Sequence, residues 1–203
     1  MTRQLIRLRC VRVAAFCALA SVALAARARA EVPVFVISHA DSTISFYVRA
    51  SVDLRGTFDK WNATLTFASQ DVTSGVLRVT VQAASVDTGS SLKNRTLKSP
   101  NFFNVEQQPL MTFVSRTISE TGPDSFQVAG DFTIRGVTKP EVLTLTVSGR
   151  GTGSGVITGT MAFDRKSYGM TSGIPFVTIA NHVEVTVKLK ARRVSGPPLV
   201  FKQ

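Results

Sequence analysis

From residue 44 onward, apolar and polar residues alternate one by one through most of the chain. That period of two constrains the fold more than any other feature. Ile44, Phe46, Val48 and Ala50 alternate with Ser45, Tyr47 and Arg49. The same pattern recurs over residues 61–67, 77–83, 110–115, 126–135, 143–147, 157–163 and 183–191. It predicts eight strands, each with one apolar and one polar face. Gly75, Gly122-Pro123, Gly136, the glycine-rich stretch 149–155 and Gly173 supply turn signals between them. Such alternation belongs to antiparallel sheets with one wet side. Eight strands with almost no helical period make an all-β domain, either a sandwich or a closed barrel. No internal repeat and no domain boundary interrupts residues 31–203.

Residues 1–30 follow a different rule. Arg3, Arg7, Arg9 and Arg12 make a basic start, residues 13–26 carry no charge, and Ala28-Arg29-Ala30 has the small-x-small form of a cleavage site. This is the layout of a secretory signal peptide. The uncharged run is shorter than the about 20 residues a membrane span needs. The expected organisation is a leader at 1–30 and one barrel or sandwich domain at 31–203, periplasmic or secreted after cleavage near Ala30. The leader holds Cys10, Cys17 and six of the arginines, so the remaining chain has no cysteine and 18 Lys+Arg against 13 Asp+Glu, net +5 instead of +11. Without disulfides, the fold rests on its core, and a domain of this size buries enough surface to manage that.

Residues 85–109 break the strand pattern. Asp87-Thr-Gly reads as an Asx turn, residues 91–98 contain helix formers, and Ser99-Pro100 reads as an N-cap with a first-turn proline. Phe102 and Phe103 follow in a loop-like context. Irregular inserts of this kind often carry function. Lys93, Arg95 and Lys98 beside two aromatics suggest single-stranded nucleic acid, but an export leader and a modest charge argue against it. These cations read as a solvated helix face.

Much chemistry is absent. The exported chain offers only His39 and His182, no Gly-x-Ser-x-Gly, no cluster with metal-ligand spacing and no phosphate-cradling loop before a helix. No catalytic residue, metal site or cofactor is assigned. The inward positions are large, and a closed sheet of eight strands can be filled by them or can hold one ligand. Alternation leaves both open.

Three stretches resemble the YceI family of bacterial exported proteins. One is Ser85-Val-Asp-Thr-Gly with Leu97, Ser99, Phe102, Phe103 and Pro109. The second is Gly130-Asp-Phe-Thr-Ile-Arg-Gly-Val-Thr-Lys-Pro140, and the third is Phe163-Asp-Arg-Lys-Ser-Tyr-Gly-Met170. Residues 41–58 are similar to the family's opening strands. The resemblance implies a single eight-stranded antiparallel lipocalin-like β-barrel with a short helical insert and an elongated apolar cavity. It implies an isoprenoid ligand, a polyprenyl phosphate or a prenyl quinone, and no enzymatic reaction. The cavity set would be Phe46, Phe67, Val79, Met111, Phe113, Phe132, Ile134, Met161 and Phe163. Phe102, Phe103, Tyr168, Met170 and Phe176 would shape its entrance. The family's charged Arg-Asp pair in the insert is Lys93-Asn94 here, and the Asp before the Phe pair is Asn101. Apolar positions are kept while charges are lost, which places affinity in the tail contacts. Two rivals remain: a packed interaction module using Phe102 and Phe103, and a lipid-modifying enzyme using Asp87, Asp164 and Arg165. A dimer is compatible with either barrel reading.

The leader makes a first prediction. Protein recovered from its host should begin within a few residues of Glu31 by intact mass; an unprocessed N-terminus overturns the signal-peptide reading.

Overall fold

A computed structural model of the chain describes residues 31–173 and 177–201. The leader at 1–30 and Phe176 lie outside the described residues. Ten strands form one antiparallel sheet, not the eight expected. They are β1 (Val34–Ala50), β2 (Leu54–Phe58), β3 (Trp61–Phe67), β4 (Gly75–Gln82), β5 (Val86–Asp87), β6 (Leu110–Gly122), β7 (Ser125–Ile134), β8 (Val137–Ser148), β9 (Ser154–Asp164) and β10 (Ile179–Ser195), with helix α1 (Ser91–Lys98) between β5 and β6. The two strands outside the eight runs of alternation are β2, with five residues, and β5, with two. Such short runs carry too little alternation to register as strands. β1 also starts ten residues earlier than its alternation, because its pairing with β10 shifts register between Ser38 and Thr43. A bulge of this kind breaks the period locally and bends the strand.

The order β3-β4-β6-β7-β8-β9-β10-β1-β2-β5 gives the sheet a single apolar face. That face is buried by curling the sheet on itself into a barrel-like shell. Edge strand β3 meets the first half of β1 through side chains. Phe35 and Phe67 have ring centroids 5.7 Å apart, and His39 stacks on Trp61 at 4.4 Å with 15° between the planes. Backbone hydrogen bonds tie the β2–β3 turn to the end of β4: Asp59 N–H donates to Ser85 O at 3.3 Å and Gln82 N–H to Lys60 O at 2.9 Å.

Inward positions follow the alternation closely. In β7, Phe126, Val128, Phe132 and Ile134 are buried, while Gln127 is exposed. Gly130 sits among them because the shell leaves no room for a side chain there. A Cβ on Gly130 would lie 2.5 Å from Val114 O and 2.8 Å from the Phe113 ring.

The insert folds as expected up to residue 98. Ser90 caps α1 by accepting from Lys93 N–H, and Leu97 is its buried residue. Ser99 is not an N-cap. It is the C-cap of α1, with its N–H donating to Thr96 O and an extended ψ of 164°. Pro100 enforces this, since the residue before a proline is pushed out of the helical region. The chain then doubles back, Phe103 N–H donating to Leu97 O at 2.9 Å.

Gly130→Ala should cost about 2–3 kcal/mol of stability through overpacking against backbone. A urea denaturation midpoint unchanged from wild type would show that the shell can relax at this point.

Candidate functional site

Among the described residues, apolar cavities open at opposite ends of the curled sheet, one at the insert end and one at the other. The insert-end cavity measures about 90 Å³. Its floor and walls come from β1, β2, β4, β6, β7, β9 and β10, and its cover from Leu97, Phe102 and Phe103 of the insert. Phe103 plugs into a ring cluster, 6.4 Å from Phe46 edge-on and 6.0 Å from Phe58, and these two rings lie 5.6 Å from each other. The opposite wall is a second cluster. Phe132, Phe163 and Tyr168 stand with centroids 5.1–5.5 Å apart. Tyr168 is almost wholly buried, and its hydroxyl donates to Glu141 Oε1 at 2.7 Å.

One arginine holds the cover in place, and a second holds the wall beside it. Arg135 follows β7 with a φ of 54°, in the left-handed region. From there its guanidinium donates to Pro100 O at 3.0 Å and to Gly169 O. One side chain thereby ties the insert to the turn after β9. Gly169 itself has a φ of 76° and ends the short 3-10 turn Arg165–Tyr168. Arg165 is buried and lines the cavity, but its guanidinium is taken up by backbone: it donates to Ala180 O at 3.1 Å, Ser172 O at 2.9 Å and Met170 O. It is a structural cation. Buried charge requires such partners.

The acidic candidates are likewise engaged locally. Asp164 accepts from Lys166 N–H at 2.8 Å and caps the 3-10 turn. Asp87 accepts from Gly89 N–H at 2.9 Å and from Asn94 Nδ2 at 3.2 Å, and these two bonds, in that order, hold its carboxyl below the usual carboxylate range. Asn94 Oδ1 in turn accepts from Thr88 N–H at 2.9 Å and from the Thr88 hydroxyl at 2.7 Å. A neutral amide makes the polar tie of the insert. Among the described residues no three His, Cys, Asp or Glu side chains gather as a metal site would require.

Phe46, Phe102, Phe103, Met111, Phe132, Ile134, Phe163 and Met170 line the insert-end cavity together. Phe67 lines the other cavity instead. Val79, Phe113 and Met161 are buried and line neither. Tyr168 stands behind Phe132 and Phe163, and Phe176 lies outside the described residues. Phe58, Val183 and Val185 also line it: β2 is too short to show alternation, and Val183 and Val185 carry no signal in sequence beyond that of a strand.

A single curled antiparallel sheet that encloses apolar space at both ends, with an aromatic insert over one of them, defines a barrel-type fold. The chain belongs to the YceI family: the model of the YceI-like domain matches residues 35–191. Protein YceI of Escherichia coli is 35% identical over 98 residues, covering 48% of this chain and 51% of that protein. The match thus spans about half the length of the curated relatives. Among solved structures, Burkholderia cenocepacia BcnA superposes with a TM-score of 0.69 at 24% identity, covering 76% of this chain and 99% of that one. A polyisoprenoid binding domain from Saccharophagus degradans superposes with a TM-score of 0.65 at 16% identity, covering 80% and 99%. Identities this low show a common fold.

Tyr168 makes a pH prediction. Burial first, and the Glu141 bond second, push its hydroxyl above the ordinary 10.0. The folded state therefore holds this proton more tightly than the unfolded chain. The contribution is intact below about pH 10 and is lost as pH rises toward the raised folded value. Tyr168→Phe should cost about 1 kcal/mol at pH 8 and flatten the alkaline fall in stability. Urea midpoints between pH 8 and 11 that fall equally in both proteins would contradict this.

Proposed function

We propose that this chain binds an isoprenoid lipid, a polyprenyl phosphate or a prenyl quinone, in the insert-end cavity. It holds and carries the lipid without transforming it, outside the cytoplasm. The observation that carries the reading is the chemistry of the lining. Among the described residues, seventeen apolar side chains surround the space, and the one charged residue beside them, Arg165, has its guanidinium occupied by three backbone carbonyls. Such a site recognises an apolar chain rather than a head group.

Magnitudes agree with this. Each buried CH₂ contributes about 0.8 kcal/mol, so one five-carbon isoprene unit contributes about 4 kcal/mol. A few units offset the ordering cost of binding. The present space of about 90 Å³ is small beside that of ligand sites, about 300–1,000 Å³. A tail must displace the cover. Phe102 and Phe103 sit on a turn held from outside by Arg135, and Met111 is an adaptable side chain beside them. The polyisoprenoid binding described for the Saccharophagus degradans domain supports the choice of ligand, and the leader supports an extracytoplasmic setting.

Protein purified from its host should release a prenyl lipid on solvent extraction, read by mass spectrometry. Phe103→Ala should reduce the lipid recovered per protein at least fivefold. Wild-type preparations that repeatedly carry no prenyl lipid would overturn the proposal in favour of a packed interaction module.

A further inference from the structure

The cavity at the other end lies outside the proposed prenyl site and shares no lining residue with it. We infer that it is a second ligand site, for an unbranched aliphatic carboxylate whose chain enters the shell and whose head group meets Arg150. Its inner surface is apolar, made by Leu65, Phe67, Leu77, Ile118, Phe126 and Ile157. It measures about 110 Å³. A dry apolar cavity of about 150 Å³ accepts a benzene-sized guest, so this one accepts a comparable thin segment, a few methylenes of a chain.

Its mouth differs from that of the insert-end cavity. The β8–β9 hairpin loop brings Arg150 to the rim, and β10 brings Arg193. Arg193 is partly occupied, its guanidinium donating to Gly196 O. Among the described residues Arg150 makes no hydrogen bond and only a loose ion pair. Its nearest carboxylate oxygen, on Asp124, is 3.8 Å away, and its guanidinium stacks 4.1 Å above the Phe201 ring. Its donors are therefore available, and a guanidinium fork matches a carboxylate with two parallel bonds. A cation on the rim of an apolar cavity selects an anionic head on an apolar chain.

The chain after β10 covers this mouth. Val200 N–H donates to Gln70 O at 2.8 Å, and Val200 O accepts from Val72 N–H at 3.1 Å. This places Leu199 and Phe201 over the cavity, with Phe201 6.2 Å from Phe126. This strap lies beyond residue 191, where the family match ends.

The test is calorimetric titration of the purified protein with dodecanoate and with dodecanol, in wild type, Arg150→Gln, Leu65→Trp and Phe103→Ala. Dodecanoate should bind wild type about tenfold more tightly than dodecanol. Arg150→Gln should remove that difference. Leu65→Trp, at a half-buried edge-strand position, should abolish the preference for dodecanoate, and Phe103→Ala should leave that preference unchanged. Should Leu65→Trp fail to fold, Arg150→Gln in the exposed hairpin still decides. No dodecanoate binding, equal binding of the two ligands to wild type, or loss of both in Phe103→Ala would overturn the inference. Because Phe103 belongs to the other cavity, the prenyl proposal can fail without this one, and this one without it.

Discussion

A single sheet with one apolar face has no second layer to cover it. That constraint governs this molecule. Ten antiparallel strands bury their inner face only by curling on themselves, and the curl must close between strands that are not hydrogen-bonded neighbours. Rings close it: Phe35 on Phe67 and His39 on Trp61. Once closed, the interior has a filled middle, with Val79, Phe113 and Met161 buried, and two ends where strand side chains splay apart. Both cavities are consequences of that geometry. Each is finished by a non-strand segment, the insert at one end and the C-terminal strap at the other.

The three sequence stretches that carry the family resemblance meet physically at the insert end. Arg135, from the second, donates to Pro100 in the first and to Gly169 in the third. Arg165 and Tyr168, also from the third, satisfy backbone carbonyls and Glu141 behind the cavity wall. The polar groups of these stretches are spent on holding loops in place. The apolar groups are left to face the cavity. Asn94 links Asp87 and Thr88 with one amide, donating to the first and accepting from the second.

All eight runs of alternation became strands, because a period of two is imposed by the pleat itself and survives any packing. What alternation could not reveal was short or irregular. β2 and β5 are too brief, and the bulged first half of β1 loses the period between Ser38 and Thr43. Ser99-Pro100 has the composition of a helix start, yet it ends a helix, because capping depends on where the preceding helix stops. At the site, the aromatic insert was visible from composition, but its ring partner Phe58 was hidden in a short strand.

The amino-acid sequence by itself determined an all-β chain with one buried face, an aromatic insert before β6 and no cysteine, histidine or carboxylate cluster for chemistry. Those are properties of residue type and spacing. Only the tertiary structure decided that the sheet curls rather than stacks, that Phe67 belongs to a different cavity from Phe46, and that Arg165 is consumed by backbone carbonyls while Arg150 stands on a cavity rim with a loose ion pair to Asp124. Alternation states which face of a strand is buried. It does not state how far along the shell a side chain lies, or which backbone carbonyls come within reach of a guanidinium; strand register and the paths of the loops set both.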